Sequence, residues 1–214
     1  MKKENPQSRF WQRKFGKDYT LRNSYSPQEF DRFYLKTWGV TRTTLNKKFL
    51  GKLSRDIKIL EIGCNIGLQL RHLQLAGFKN LYGIELQQDA VEKAKSSTRG
   101  INIICGSAFD VPFADGWFDL VFTSGVLIHL HPKNLKQAIS EIHRCSRTWI
   151  WGFEYFAPTL QEIIYRGHRK VLWKQDFCKL YVATFPDLKV VKEEKIKYRN
   201  DANLDQMFLL RKKP

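Results

Sequence analysis

The stretch Ile59-Leu60-Glu61-Ile62-Gly63-Cys64-Asn65-Ile66-Gly67 constrains the fold of this chain more than any other. An apolar strand runs into a glycine turn and then into residues 68–75, whose leucines suit a helix closed by Gly77. A strand, tight turn and helix start in this order aim backbone N–H groups at a ligand beside the turn. The alternation continues along the chain. Residues 80–85 read as a second strand, and a helix follows from about Asp89 with Ala90, Val91 and Ala94 on its apolar side. Residues 101–105, 118–123 and 148–153 read as further strands, and residues 134–145 as a helix with Leu135, Ala138, Ile139 and Ile142 on one face. Such spacing implies parallel strands joined by right-handed crossovers. Residues 188–196 and 204–210 depart from it: a polar turn around Asn200-Asp201 joins two strands directly, an antiparallel hairpin at the sheet edge. The expected architecture is an open, doubly wound α/β sheet with helices on both faces.

Residues 1–50 lack this alternation. Their aromatics, from Phe10 and Trp11 to Tyr34 and Trp38, are interleaved with basic residues, and the expectation is a helical cap with two helices, one starting after Ser26-Pro27. The chain thus divides into a cap over residues 1–50 and an α/β domain over residues 51–214. Charge divides differently: the net +16 splits into +10 over residues 1–58, +1 over residues 59–150 and +5 over residues 151–214. A near-neutral core with basic flanks points to an anionic partner of the flanks, either a small anionic molecule or nucleic acid. No apolar run reaches the ~20 residues of a membrane span, and no signal-peptide pattern opens the chain. Cys64, Cys105, Cys145 and Cys178 show no zinc or disulfide spacing, so a reducing cytoplasm and no bound metal are expected.

The glycine turn narrows the ligand. A dinucleotide fingerprint needs glycine where this chain has Asn65 and Leu68, and no Gly-Lys-Ser/Thr closes a phosphate loop. The segment instead resembles the first motif of class I S-adenosylmethionine-dependent methyltransferases, acidic-x-Gly-x-Gly-x-Gly, with Asn65 at the middle glycine. That resemblance implies a Rossmann-like fold, S-adenosylmethionine as methyl donor and S-adenosylhomocysteine as product. In such a site Glu61 reaches the ammonium group of the ligand, while Gly63 and Cys64 let the backbone come close. Gly67 permits tight helix packing. Glu85, 22 residues beyond Gly63, stands where a carboxylate accepts from both ribose hydroxyls, with Leu86 beside it. Ser107 replaces the acidic residue often found after Gly106, which leaves adenine to backbone groups and to Ala108 and Phe109. Asp110 and Asp119 are expected to be structural.

Further blocks resemble a narrower group, the methylases associated with pseudaminic acid (nonulosonic sugar) biosynthesis. They are Phe15 to Asn23, Gly63 to Gly67, Val126-Leu127-Ile128-His129, Arg144-Cys145-Ser146, Glu154-Tyr155, Tyr165-Arg166-Gly167-His168 and Trp173 to Phe177. Phe156 and the Gln206-Met207 segment depart from its pattern. By this resemblance Tyr19 and Arg22 fold over the cofactor, with Arg22 toward the methionine carboxylate.

Methyl transfer is an in-line displacement, and its candidates lie at the carboxyl ends of the fourth and fifth strands. Ser124 is expected beside the cofactor, His129 as general base, Glu154 as second candidate and Tyr155 next to it. Arg166, His168 and Lys174 are expected to hold an anionic acceptor, a nonulosonic sugar acid or its nucleotide-linked form. An RNA methyltransferase is the competing reading from the charge, although the Asn/Asp-Pro-Pro-aromatic motif is replaced by Thr123-Ser124-Gly125-Val126. A non-catalytic cofactor-binding regulator is the third.

Overall fold

A computed structural model describes residues 6–213. Its centre is a seven-stranded sheet of order β3-β2-β1-β4-β5-β9-β8. The parallel part comprises β1 (Lys58–Ile62), β2 (Asn80–Glu85), β3 (Ile101–Cys105), β4 (Phe118–Ser124) and β5 (Ser146–Phe156). The strands β8 (Leu188–Lys197) and β9 (Leu204–Lys212) form the antiparallel hairpin expected from Asn200-Asp201, and β9 docks on β5 with Tyr155 opposite Asp205. A small separate hairpin, β6 (Gln161–Glu162) with β7 (Trp173–Lys174), interrupts the chain after β5.

Helices cover both faces. On one lie α3 (Pro27–Trp38), α4 (Arg42–Leu50), α5 (Leu68–Leu75) and α6 (Gln88–Ser97), where Phe49, Leu70, Leu73, Val91 and Ala94 pack against Ile59, Leu81, Leu120 and Phe122. On the other lie α7 (Pro132–Cys145) and α8 (Phe177–Thr184), where Leu135, Ile139, Ile142 and Phe177 pack against Leu60, Val121, Ile150 and Phe208. Each fully buried aliphatic side chain of this kind contributes roughly 1.5–3 kcal/mol. The central strands read as unbroken apolar runs because both their faces are covered.

One feature departs from the expectation. Residues 6–50 form four helices, not two: α1 (Pro6–Gln12), α2 (Lys14–Arg22), α3 and α4. Extended backbone at Arg13 (φ −94°, ψ −163°) separates the first pair, and Gly39 in the left-handed region (φ 77°) ends α3. The start of α3 is a capping box: Ser26 Oγ accepts from the Glu29 N–H at 3.2 Å and Glu29 accepts from the Ser26 N–H at 2.7 Å, with Pro27 in the first turn. Residues 106–117 cross from β3 to β4 as a loop without a helix. The Arg144 guanidinium on α7 holds this loop, donating to Phe113 O at 2.7 Å and Val111 O at 2.9 Å.

Candidate active site

The glycine turn is built by close approach. The N–H groups of Gly63 and Cys64 both donate to Ile84 O on β2, at 2.8 and 3.0 Å. Gly63 lies at φ 72°, and a Cβ there would stand 2.6 Å from Val126 Cγ2. Asn65 also takes a left-handed conformation, φ 47°, which asparagine tolerates better than most side chains. A cavity of about 380 Å³ opens beside this turn, along the carboxyl ends of β1, β2, β4 and β5 and beneath α1, α2 and α3.

Two buried carboxyl groups face its first part. Glu85 accepts from the Asn65 N–H and the Gln87 N–H, one on each oxygen, both at 2.9 Å. Burial raises its pKa, and these backbone donors oppose the rise. Glu61 is 2% exposed, and its Oε2 has no hydrogen-bond partner. Burial pushes its pKa well up, against the pull of Arg42. Arg42 on α4 is itself fully buried. It donates to Asn46 Oδ1 at 2.9 Å, Tyr34 Oη at 3.0 Å and Ser124 Oγ at 3.3 Å, and it stacks on Phe153 and Trp151. Its Nη2, Asn65 Oδ1 and Gln69 Oε1 are also without partners. Of these, Glu61, Asn65 and Gln69 line the cavity, and their unpartnered oxygens suit a polar occupant with hydrogens to donate. Leu86, Ser107, Ala108 and Phe109 line the neighbouring wall, beyond β2.

Farther along the sheet lies His129. Its Nδ1–H donates to Val171 O at 2.9 Å, which fixes the neutral tautomer and leaves Nε2 as an acceptor. Burial lowers its pKa to about 4. Trp11, Tyr19 and Tyr165 surround the ring at centroid distances of 4.5, 6.4 and 5.5 Å. Gln7 on α1 ties this roof down: its Nε2 donates to His129 O at 2.9 Å and its Oε1 accepts from the His131 N–H.

Of the residues expected at the site, Tyr19, Glu61, Gly63, Cys64, Asn65, Glu85, Leu86, Ser107, Ala108, Phe109, Ser124, His129 and Tyr155 line this one cavity. Gly67 does not; it lies behind the turn at φ 74°, against Ile103 and Thr98. Arg22 is exposed at the end of α2, 5.9 Å from the Phe15 ring and away from the cavity; the buried guanidinium beside the site belongs to Arg42. Glu154 points to the other face of β5, where it accepts from the N–H groups of Val126 at 3.2 Å and Ile128 at 3.4 Å. Successive strand residues face opposite ways, so Tyr155 reaches the cavity and Glu154 supports the loop that carries His129. Arg166 and His168 sit in the exposed turn closed by the Tyr165–His168 backbone bonds, and it is Tyr165 that turns inward. Lys174 bonds Asn203 and lies 5.5 Å over the Tyr155 ring. Asp119 is structural: it accepts from the Lys58 N–H at 2.8 Å. Trp11, Arg42, Tyr198 and Asp205 were not anticipated. Tyr198 and Asp205 come from the C-terminal hairpin, and Asp205 is fully buried.

Comparison with known proteins bears on this geometry. Residues 60–148 match the family described as "Methyltransferase domain". An uncharacterised methyltransferase of Synechocystis is 33% identical over 92 residues, covering 43% of each chain. The matched region thus spans less than half the length of this relative. Among solved structures, the magnesium protoporphyrin IX methyltransferase of Synechocystis with bound S-adenosylmethionine superposes at TM-score 0.71 and 13% identity, covering 99% of this chain and 100% of that one. The 1,6-didemethyltoxoflavin-N1-methyltransferase of Burkholderia thailandensis, with its substrate and S-adenosylhomocysteine, gives TM-score 0.66 at 13% identity, covering 94% and 90%. At such identities the likeness is one of fold, and the matched sequence lies on β1 through α7, around the glycine turn. The chain thus resembles a methyltransferase domain over residues 60–148, and its fold is the one seen in these S-adenosylmethionine-dependent enzymes.

Proposed function

We propose that this chain is an S-adenosylmethionine-dependent methyltransferase acting on a small-molecule acceptor. The observation that carries the reading is one cavity faced by Glu61, the glycine turn and Glu85, with unpartnered polar atoms on Glu61, Asn65 and Gln69. These groups fit the cofactor part by part. Glu61 and Gln69 suit the ammonium group, the Arg42–Ser124 corner suits the carboxylate, the remaining acceptor capacity of Glu85 suits the ribose hydroxyls, and Leu86, Ala108 and Phe109 suit the adenine plane. When bound, the cofactor supplies a methyl group activated by its sulfonium.

The chain's own contribution is positioning and exclusion of water, effects that reach ~7–11 kcal/mol in well-oriented systems. Trp11, Tyr19 and Tyr165 close the roof over His129, and α1, α2 and α3 shut the cavity. Neutral His129 offers Nε2 to orient the nucleophile. The acceptor is small because it shares this enclosed space. Its finer identity, a nonulosonic sugar acid or nucleotide-linked form, rests on the sequence blocks and on the basic flanks, with Arg166 next to the cavity-lining Tyr165. Four free cysteines, three of them buried, suit a reducing cytoplasm.

Isothermal titration with S-adenosylhomocysteine tests the donor half: one site per chain is expected, and no binding refutes the reading. Transfer of tritiated methyl into fractionated extract, followed by mass spectrometry of the product, tests the acceptor half. Label entering small anionic metabolites supports it, and label entering RNA overturns it.

A further inference from the structure

The cavity end farthest from the glycine turn has a composition of its own. Asp205 on β9 is fully buried and lines it; Oδ1 accepts from Tyr198 Oη at 3.3 Å, and Oδ2 has no partner. The Trp38 indole N–H is close to this carboxyl yet outside hydrogen-bond geometry. Around it stand aromatic rings that also line the cavity: Trp38 and Tyr198 at 5.0 Å between centroids, Trp38 and Tyr34 at 4.3 Å, Tyr155 and Tyr198 at 6.5 Å. No cation pairs with Asp205 among the described residues. Lys174, a basic group whose charge acts on it, is engaged with Asn203. A buried carboxyl with one unpartnered oxygen, met by the Tyr198 hydroxyl and flanked by aromatic side chains, suits a positively charged group with hydrogens to donate.

We propose that this end of the cavity is an amine subsite: it takes a primary or secondary amino group of the acceptor, with Asp205 as counter-ion and proton acceptor and the Trp38, Tyr155 and Tyr198 rings around it. The proposal rests on the methyltransferase reading and deepens it. An anionic acceptor bearing an amine satisfies both this subsite and the basic flanks. The amine enters as an ammonium and gives one proton to the Asp205 carboxylate. Its freed lone pair bonds to the methyl carbon as the carbon–sulfur bond breaks, and that bond's electron pair goes to sulfur, turning sulfonium into thioether. The product leaves as an N-methylammonium ion, and Asp205 returns its proton to water. Asp205 is a better proton acceptor than His129: burial raises it to about 8, whereas His129 lies at about 4.

Benzylamine and benzyl alcohol, which differ only in the donor group, serve as probes. They are titrated into the purified chain saturated with S-adenosylhomocysteine, and binding is followed by saturation-transfer NMR. Benzylamine binding at least tenfold tighter than the alcohol supports the subsite, and equal binding overturns it while leaving cofactor binding intact. Asp205→Asn should abolish the preference and change the S-adenosylhomocysteine Kd less than twofold; a preference that survives overturns the role of Asp205. If that variant does not fold, Trp38→Leu keeps the carboxyl and should weaken benzylamine at least threefold, and an unchanged affinity overturns the aromatic contribution. Failure of S-adenosylhomocysteine to bind the wild-type chain refutes the underlying methyltransferase reading instead.

Discussion

Replacing Gly63 by alanine tests the glycine turn at its tightest point. Two separate costs apply. The backbone sits at φ 72°, where a non-glycine residue costs about 1–2 kcal/mol. The added Cβ would also lie 2.6 Å from Val126 Cγ2 and 3.2 Å from Val126 Cγ1, an overpacking of the kind that costs about 1–3 kcal/mol. Gly63→Ala should therefore lower the unfolding free energy by about 2–5 kcal/mol in urea titration. Relief of the clash pushes the Ser124–Val126 loop away from β1, so S-adenosylhomocysteine affinity should fall at least tenfold, or about 1.4 kcal/mol. The costs separate in a double-mutant cycle. Val126→Ala removes both γ carbons, so Gly63→Ala should be milder by about 1–3 kcal/mol in a Val126→Ala background, leaving the backbone part in place. A loss below about 0.5 kcal/mol, or a loss that Val126→Ala does not change, refutes the reasoning that close approach to Val126 is what requires glycine here.

Glu85→Gln sets an amide NH2 against one of the two backbone donors, Asn65 N–H or Gln87 N–H, at the cost of a hydrogen bond to a charged group, about 1.5–3 kcal/mol. Calorimetry should then show a ten- to hundredfold weaker S-adenosylhomocysteine Kd, and a change under threefold contradicts the assignment. His129 should remain the neutral Nδ1–H tautomer from pH 5 to 8, with a midpoint near 4 in long-range 1H–15N correlation spectra; a midpoint above 6 contradicts the burial argument. Burial raises Glu154 from 4.5 to about 7, so the folded state holds this proton more tightly than the unfolded chain. That stabilisation is complete below pH 4.5 and lost as pH rises through 7, an effect of about 3 kcal/mol at 1.36 kcal/mol per pH unit. Urea midpoints measured from pH 4.5 to 8 should fall less steeply for Glu154→Gln, and equal slopes would count against it.

The glycine-turn end of the cavity was legible because its determinants are local. Glu61, Gly63 and Asn65 lie within five residues of one another, and Glu85 ends the neighbouring strand, so strand, turn and helix signals together place them. Alternation along β5 would have separated Tyr155 from Glu154, since adjacent strand residues cannot face one cavity. Arg42 gave no pattern to read. A basic residue in the first turn of an amphipathic helix looks solvent-exposed until Tyr34, Trp151 and Phe153 enclose it. Asp205 is the extreme case, for its surroundings come from Trp38, Tyr155 and Tyr198, and the link to Tyr155 is a strand register fifty residues apart. Exposed polar residues at the Tyr165–His168 turn drew attention for their charge, and geometry gave the inward place to the tyrosine.

The hairpin's place in the sheet bears on how the cavity assembles. Although β9 follows β8 in sequence, it lies between β8 and β5, so β8 joins the sheet through its partner alone. The β8–β9 pair is a short-range contact that can form on its own, whereas its docking on β5 closes a long loop through the β6–β7 insertion and α8. The two ends of the cavity are therefore set by different events: the glycine-turn end by pairing of β1 with β2 and β4, the Asp205 end by arrival of the hairpin. In native-state hydrogen exchange the β5–β9 amides report the second event and the β1–β2 amides the first. A ligand reaching only the first end slows exchange at β1 and β2, and one that bridges both slows exchange across the whole sheet.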